Sequence, residues 1–249
     1  MLKKMAPLTM ALGLTLALPT QAALFDRGNG LIYDNVLNVT WTSDANLFKT
    51  MASIDGSLVS RIIASVPTVI DTPNVYDTPA YSGYYNVRAS DFSVAAGSLN
   101  WFGAKAWVGY LNHINYRGYN DWSLPTTAVF CVSYSCANSQ LGELFYNELG
   151  GVVFQPITTT HNTNYGLFKN LQSPSYWSGT EWASNPSNVF SFGAADGSQN
   201  LGSKPYGSSG YSAWAVRSGD VAAVPEPEMW ALLLAGVGLV GFASRRRKV

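Results

Sequence analysis

Formal charge is scarce in this sequence. Of its 249 residues only 12% are Asp, Glu, Lys or Arg, and fifteen basic residues are balanced by fifteen acidic ones. Residues 23–223 hold nine of the basic and thirteen of the acidic residues, which gives this part a net charge of −4. Binding to nucleic acid rests on basic side chains concentrated against the phosphates. The composition therefore argues against nucleic acid as a partner.

Side chains that could support catalysis or bind zinc are also few. The histidines His113 and His161 are distant in sequence from both cysteines, and a zinc site needs three or four such ligands. Neither histidine belongs to a nucleophile-elbow motif. Glycoside hydrolysis instead needs a pair of carboxylic acids, although acids in turns are more simply solvated or hydrogen-bonded. The available pairs are Glu143 with Glu148 and Asp121 with Glu181. We expect a protein that is not an enzyme and that uses no cofactor.

Long apolar runs occur only at the two ends of the chain. Residues 1–22 contain Lys3 and Lys4, then an apolar stretch, then small residues up to Ala22. This order is typical of a secretory signal peptide, and we expect cleavage after Ala22. A retained N-terminal anchor is the alternative.

The C-terminal run has three parts, a proline-flanked motif, an uncharged apolar stretch over residues 229–243 and a basic end. As a helix the stretch would be about 22 Å long, which is marginal for a hydrocarbon core of about 30 Å. The basic end favours the cytoplasmic side of the membrane and stops transfer. The motif consists of Val224, Pro225, Glu226 and Pro227, and the basic end of Arg245, Arg246, Arg247 and Lys248.

In the order of these parts, residues 224–249 resemble the PEP-CTERM sorting signal of Gram-negative bacteria. The resemblance implies recognition by an exosortase, transient residence in the inner membrane through a transmembrane helix, removal of the tail, and export to the cell surface or extracellular matrix. A plain C-terminal anchor helix is the alternative. Between the two ends we expect one extracytoplasmic domain, residues 23–223, which is long enough to bury a core.

Strand patterns dominate that domain, together with many aromatic residues. Two short strands are predicted around an Asp34-Asn35 turn, and alternating patterns predict strands over 175–182, 188–193 and 211–217. We expect an antiparallel arrangement in which four apolar side chains share one core. These are Trp122, Tyr176, Trp214 and Val216.

Apolar spacing predicts two main helices. One covers about 101–114, and the other covers 139–149 and ends at Gly150-Gly151. A shorter helix is predicted over 58–64. Residues 67–85 are predicted to be an irregular insertion within the looser region 50–98, and their tyrosines either form a binding surface or pack onto the core.

Two small groups of residues predict local features, a disulfide and a set of turns or a calcium site. Cys131 and Cys136 favour a local disulfide over free thiols in an oxidising compartment. Asp26, Asn29 and Asp34 carry oxygen side chains at loop spacing and are weak candidates for calcium binding, but they lack the full acid pattern and closing Glu of an EF-hand. Plain Asx-turns are the alternative for these residues.

Several short motifs stand out along the domain, namely Asp34-Asn35 with Trp41, Asp44-Ala-Asn46, residues 118–126, Tyr176-Trp-Ser-Gly-Thr180 and Trp214-Ala-Val-Arg217. Together they resemble the Lcl C-terminal-like domain, a family of unknown function, over most of residues 23–220. The resemblance implies a compact α+β fold related to C-type-lectin-like and formylglycine-generating-enzyme-like domains. Ser123 stands where the family usually has Arg, and the chain has no Cys after Cys136, whereas the catalytic cysteines of formylglycine-generating enzymes lie late in that fold.

The family resemblance implies adhesion or polysaccharide binding more readily than catalysis. We expect an exported cell-surface or matrix protein that binds exopolysaccharide or a partner surface without turnover. Aromatic rings suit sugar faces, and Asn, Asp and Ser suit sugar hydroxyls. A structural envelope protein without a specific ligand is the first alternative, and a carbohydrate-active enzyme is the second.

Replacing Pro225, Glu226 and Pro227 by alanine should leave the chain anchored by its apolar run and unprocessed, because the extended motif for the protease is lost. Removing the basic end, residues 245–248, should instead weaken retention and orientation while sparing the motif. Mass spectrometry of the protein from membrane and extracellular fractions measures both effects. Normal cutting and export of the alanine variant would favour the plain anchor.

Overall fold

The computed structural model describes residues 24–171, 175–206 and 210–221. The predicted signal peptide, sorting motif, apolar run and basic end lie outside the described residues. Four helices and several mainly antiparallel sheets make up the described part, which confirms the α+β prediction. No helix among the described residues is long and apolar enough to span a bilayer.

The first sheet joins the beginning of the domain to its end. Its strands are β1 (Leu24–Asp26), β2 (Leu31–Asp34), β3 (Val39–Thr42) and β12 (Val216–Ser218), in the order β1-β2-β3-β12 with every pair antiparallel. The predicted turn between β2 and β3 is present. Pairing of β12 with β3 closes the fold, because Val216 lies opposite Trp41.

The second sheet contains the longest strands. It has the order β10-β9-β8-β11, where β8 is Ser175–Glu181, β9 is Asn188–Gly193, β10 is Ser198–Ser203 and β11 is Tyr211–Ser212. The β9–β10 hairpin turns at Asp196-Gly197, as predicted, with Gly197 at a φ of 78°. The single predicted strand over 211–217 is wrong, since β11 pairs parallel to β8 and β12 belongs to the first sheet.

Two short hairpins and two helices fill residues 47–99. The helices are α1 (Leu47–Ile54) and α2 (Leu58–Ser65). The hairpins pair β4 (Thr68–Ile70) with β5 (Tyr84–Asn86), and β6 (Phe92–Ser93) with β7 (Ser98–Leu99). The predicted irregular insertion is therefore partly a hairpin. Tyr85 packs inward with its ring 3.6 Å from that of Phe102, whereas Tyr81 and Tyr84 are exposed.

The two predicted main helices are present at the expected places. Helix α3 (Trp101–His113) begins after Asn100, whose side chain accepts from Gly103 N. Helix α4 (Gln140–Glu143) begins after Ser139 in the same way and continues as a π-helical turn, Leu144–Glu148. The second helix is therefore shorter and less regular than predicted.

Buried apolar residues form two clusters. One surrounds α3 and includes Trp122, and the other lies between the two sheets and includes Tyr176, Trp214 and Val216. The expectation that all four share one core is wrong for Trp122. Its side chain packs beside α3, where the indole nitrogen donates to Tyr116 O and the ring meets that of Tyr116.

Candidate binding surface on the disulfide loop

The calcium candidates each have partners of their own. Asp26 accepts from Gly28 N at 2.8 Å, and Asp34 accepts from Val36 N at 3.0 Å, which confirms the Asx-turn alternative at both residues. Asn29 accepts from the Arg117 guanidinium at 2.6 Å. The described geometry thus gives these oxygens to protein donors, one of them a cation.

Neither predicted acid pair is a pair of facing exposed carboxylates. Asp121 forms a two-point ion pair with Arg217, whereas Glu181 contacts Lys204. Glu143 accepts from Asn147 on the surface, while Glu148 is buried. The described contacts place these acids in four separate environments.

The two histidines are exposed and lie apart from these acids in the described contacts. His113 is the last residue of α3. His161 stacks on Tyr165 with ring centroids 4.0 Å apart. Their surroundings do not assemble a nucleophile and base.

Glu148 instead lies in the interior beside Asp34. The π-helical turn carries it inward, leaving it 2% exposed. The Asp34 carboxylate is satisfied by Val36 N, Leu37 N and the Trp41 indole, but neither Glu148 oxygen has a conventional partner among the described residues. Burial first, and the nearby Asp34 carboxylate second, raise the pKa of Glu148 from its ordinary 4.5 to about 9. Glu148 is therefore assigned as a protonated acid, and its role is structural because its side chain is closed to solvent.

An exposed apolar surface lies on two loops that pack against the β9–β10 turn. The first loop carries the predicted Cys131–Cys136 disulfide, which is confirmed with Cα atoms 5.8 Å apart. The second loop follows Gly150. We call their exposed apolar side chains the aromatic platform. Its residues are Val129, Phe130, Val132, Tyr134, Val152 and Phe154.

The disulfide loop is held by one buried residue of β10. Gln199 N donates to Ser133 O at 2.7 Å, and its side-chain amide donates to Cys131 O and, at 3.3 Å, to Ala128 O. Gln199 has no exposed surface. Gln199 thus holds three points of the loop, one through its backbone N–H and two through its side-chain amide, although Phe130 in the same loop is 96% exposed.

The second loop is held by main-chain bonds to the same hairpin. Phe154 N donates to Asp196 O, and Ile157 N donates to Ala194 O, both at 2.9 Å. Tyr146 links the hairpin to the disulfide loop, since its hydroxyl donates to Gly197 O at 2.6 Å and accepts from Ser135 N at 3.0 Å.

Phe154 has a backbone conformation that bulky residues rarely adopt. Its φ is 63°, and its side chain remains 66% exposed. Its ring packs on Tyr134 with centroids 4.4 Å apart, which joins the two loops. A positive φ at an aromatic residue costs conformational energy, and such outliers cluster at functional sites.

The two loop stretches that carry the platform contain no formal charge, whereas the β9–β10 turn against which they pack contains Asp196. Residues 122–142 and 149–168 contain no Asp, Glu, Lys or Arg, and their polar side chains are hydroxyls, amides and His161. The loops themselves therefore offer no charged side chain for selecting an anionic or cationic partner. Sequence reasoning missed this surface: Phe130 next to Cys131 in a charge-free stretch was a usable signal, but nothing in the sequence marks Phe154.

Fold and surface together define a small α+β domain that presents an aromatic platform on two loops without formal charge. The chain belongs to the Lcl C-terminal domain family, whose model matches residues 30–217. The PEP-CTERM protein-sorting motif matches residues 223–248. This motif is the exosortase recognition tail, and it supports export through the membrane to the surface of a Gram-negative cell. None of the curated proteins compared with the chain matches it.

The buried Glu148 predicts a pH-dependent stability. Its raised pKa means that the folded state keeps a proton that the unfolded state releases above about pH 4.5. The stabilisation is complete below that pH and is lost as the pH rises toward 9, at up to about 1.4 kcal/mol per pH unit for one proton. Denaturant unfolding of wild type and Glu148→Gln at pH 5, 7 and 9 should show a flatter profile for the variant.

Glu143→Gln is the matched control, because Glu143 lies on the same helix with its carboxylate toward solvent and Asn147. This control should keep the wild-type slope. Equal slopes for all three proteins would contradict the assignment of the proton to Glu148.

Proposed function

We propose that the domain is a non-catalytic binding module of the cell surface or extracellular matrix, and that the aromatic platform binds the neutral stretches of an exopolysaccharide. The observation that carries this proposal is that exposed aromatic rings lie on loops that contain no formal charge and are rich in hydroxyls and amides. Rings stack on the apolar faces of sugars, while hydroxyls and amides exchange hydrogen bonds with sugar hydroxyls.

Anchoring of the platform loops supports binding. Its loops are tied to the β9–β10 hairpin by Gln199, by Tyr146 and by the disulfide. An ordered surface loses little conformational freedom when a ligand is bound, so more of the contact energy contributes to affinity. A relationship to C-type-lectin-like domains remains part of the proposal and is consistent with binding through loops at one end of the fold.

Phe154→Ala in the processed protein should weaken binding to the host's exopolysaccharide about tenfold, because one aromatic contact on the order of 1–2 kcal/mol is removed. Affinity electrophoresis in gels containing the purified polysaccharide measures the change in Kd. Phe130→Ala should have a similar effect.

Tyr81→Ala is the matched control. Tyr81 is also 66% exposed and has a φ of 62°, so the substitution removes an equally exposed ring from an equally unusual backbone position on the β4–β5 hairpin loop. The control should bind like wild type. No retention of the wild-type protein would favour a structural protein without ligand, and equal loss in the Phe154 and Tyr81 variants would place binding elsewhere.

A further inference from the structure

One lysine lies wholly inside the protein between two carboxyl groups. Lys204, directly after β10, has a side chain with 0% exposure. Its Nζ contacts Asp71 Oδ2 and lies 2.8 Å from Glu181 Oε2. The Asp71 side chain is also 0% exposed, whereas Glu181 is 22% exposed and reaches the edge of the cluster.

Aromatic rings enclose the amine. Lys204 Nζ lies 4.7 Å from the centroid of the Trp101 ring and 5.9 Å from that of Phe102. Trp101 N also donates to Lys204 O at 3.0 Å, which fixes the lysine backbone against the start of α3. The amine is therefore held in a water-poor enclosure, where a nucleophile is not masked by hydration.

The two oxygens of Asp71 differ in their surroundings. Oδ2 contacts the amine and accepts from Asn74 Nδ2 at 2.9 Å. Oδ1 is buried and has no hydrogen-bond partner among the described residues. Burial raises the pKa of Asp71 although Lys204 opposes the shift, so the neutral acid is favoured more than in an exposed ion pair. An ion pair built only for stability would be expected to satisfy both oxygens.

We propose that Lys204 and Asp71 join in an intramolecular amide bond, with Glu181 as the proton relay. This modification is independent of polysaccharide binding, because the cluster lies inside the fold and the platform lies on the disulfide loop and the loop after Gly150.

The reaction balances without an oxidant or an activated co-reactant. Glu181 takes a proton from the Lys204 ammonium and delivers it to the Asp71 carboxylate, and the neutral amine then attacks Cγ of the resulting carboxylic acid. Negative charge then develops on Oδ2, which Asn74 Nδ2 stabilises. Glu181 passes the amine proton to Oδ1, the C–Oδ1 bond breaks and one water molecule leaves. The net change converts an ammonium and a carboxylate into an amide and water, while Glu181 returns to its initial state.

The amide bond would connect two segments that are distant in the sequence and would thereby stabilise the folded domain. Asp71 follows β4, and Lys204 is 133 residues later in the chain. The bond would tie the β4–β5 hairpin to the second sheet, whereas the disulfide spans a sequence separation of five residues. A covalent closure of a long loop restricts the unfolded chain far more than a short one, which suits a protein that works outside the cell.

Tryptic peptide mapping of the reduced wild-type chain tests the proposal directly. Cleavage at Arg61, Arg88, Lys169 and Arg217 yields peptides 62–88 and 170–217, which contain Asp71 and Lys204 and no cysteine. The expected result is one joined species lighter than the two peptides by one water, with fragment ions that locate the amide at Asp71 and Lys204. Two separate peptides of unaltered mass would overturn the proposal and leave an ordinary buried ion pair.

Variants test the role of Glu181. Glu181→Gln should leave the two peptides separate, since the relay is lost while both reacting groups remain. Lys105→Arg is the control, because Lys105 lies over the same Trp101 ring at 5.6 Å, and this variant should retain the link. A fully linked Glu181→Gln protein would contradict the relay. If that variant does not fold, the wild-type peptide map still decides the proposal.

Discussion

A reciprocal pair of indole hydrogen bonds holds the two halves of this domain together. Trp101 Nε1 donates to Ser178 O, and Trp177 Nε1 donates to Leu99 O, both at 2.9 Å and both buried. A buried indole N–H is costly unless it finds an acceptor, and each of these tryptophans finds one in the other's segment. The pair therefore fixes β8 against the start of α3 in one register. Strands β9 and β10 take their positions from β8.

The platform and the lysine cluster both depend on this frame. At the turn of the β9–β10 hairpin, residues 194–199 hold the disulfide loop and the loop after Gly150. At the other end of the same hairpin, Lys204 enters the interior over the Trp101 ring. A rigid sheet thus carries an exposed surface at one end and a closed ionic cluster at the other. This division is common where loops bind ligands and the scaffold supplies stability.

Local signals in the sequence were enough for the α+β class, helix α3, the β2–β3 turn, the Asp196-Gly197 turn and the disulfide. These local signals failed where long-range packing determines which strands pair and which side chains meet. The stretch 211–217 has one alternating pattern but divides between two sheets, because Ala213–Ala215 cross from one to the other. Similarly, the inward turn of Glu148 and the meeting of Asp71 with Lys204 arise from contacts across many residues, which periodicity cannot encode. Phe154 lies in the platform because its φ is positive, and the residues next to it in the sequence do not predict this backbone conformation.

The central claim is that the exported domain binds polysaccharide through the aromatic platform, which the β9–β10 hairpin holds in place. Hydrogen exchange of the processed protein, measured with and without the host's exopolysaccharide, tests this claim most directly because it reports every backbone segment at once. The account predicts slower exchange confined to the two platform loops, residues 128–136 and 151–157, with the β4–β5 hairpin unchanged. Slowing confined to the β4–β5 hairpin or the first sheet, or no slowing at saturating polysaccharide, would contradict it.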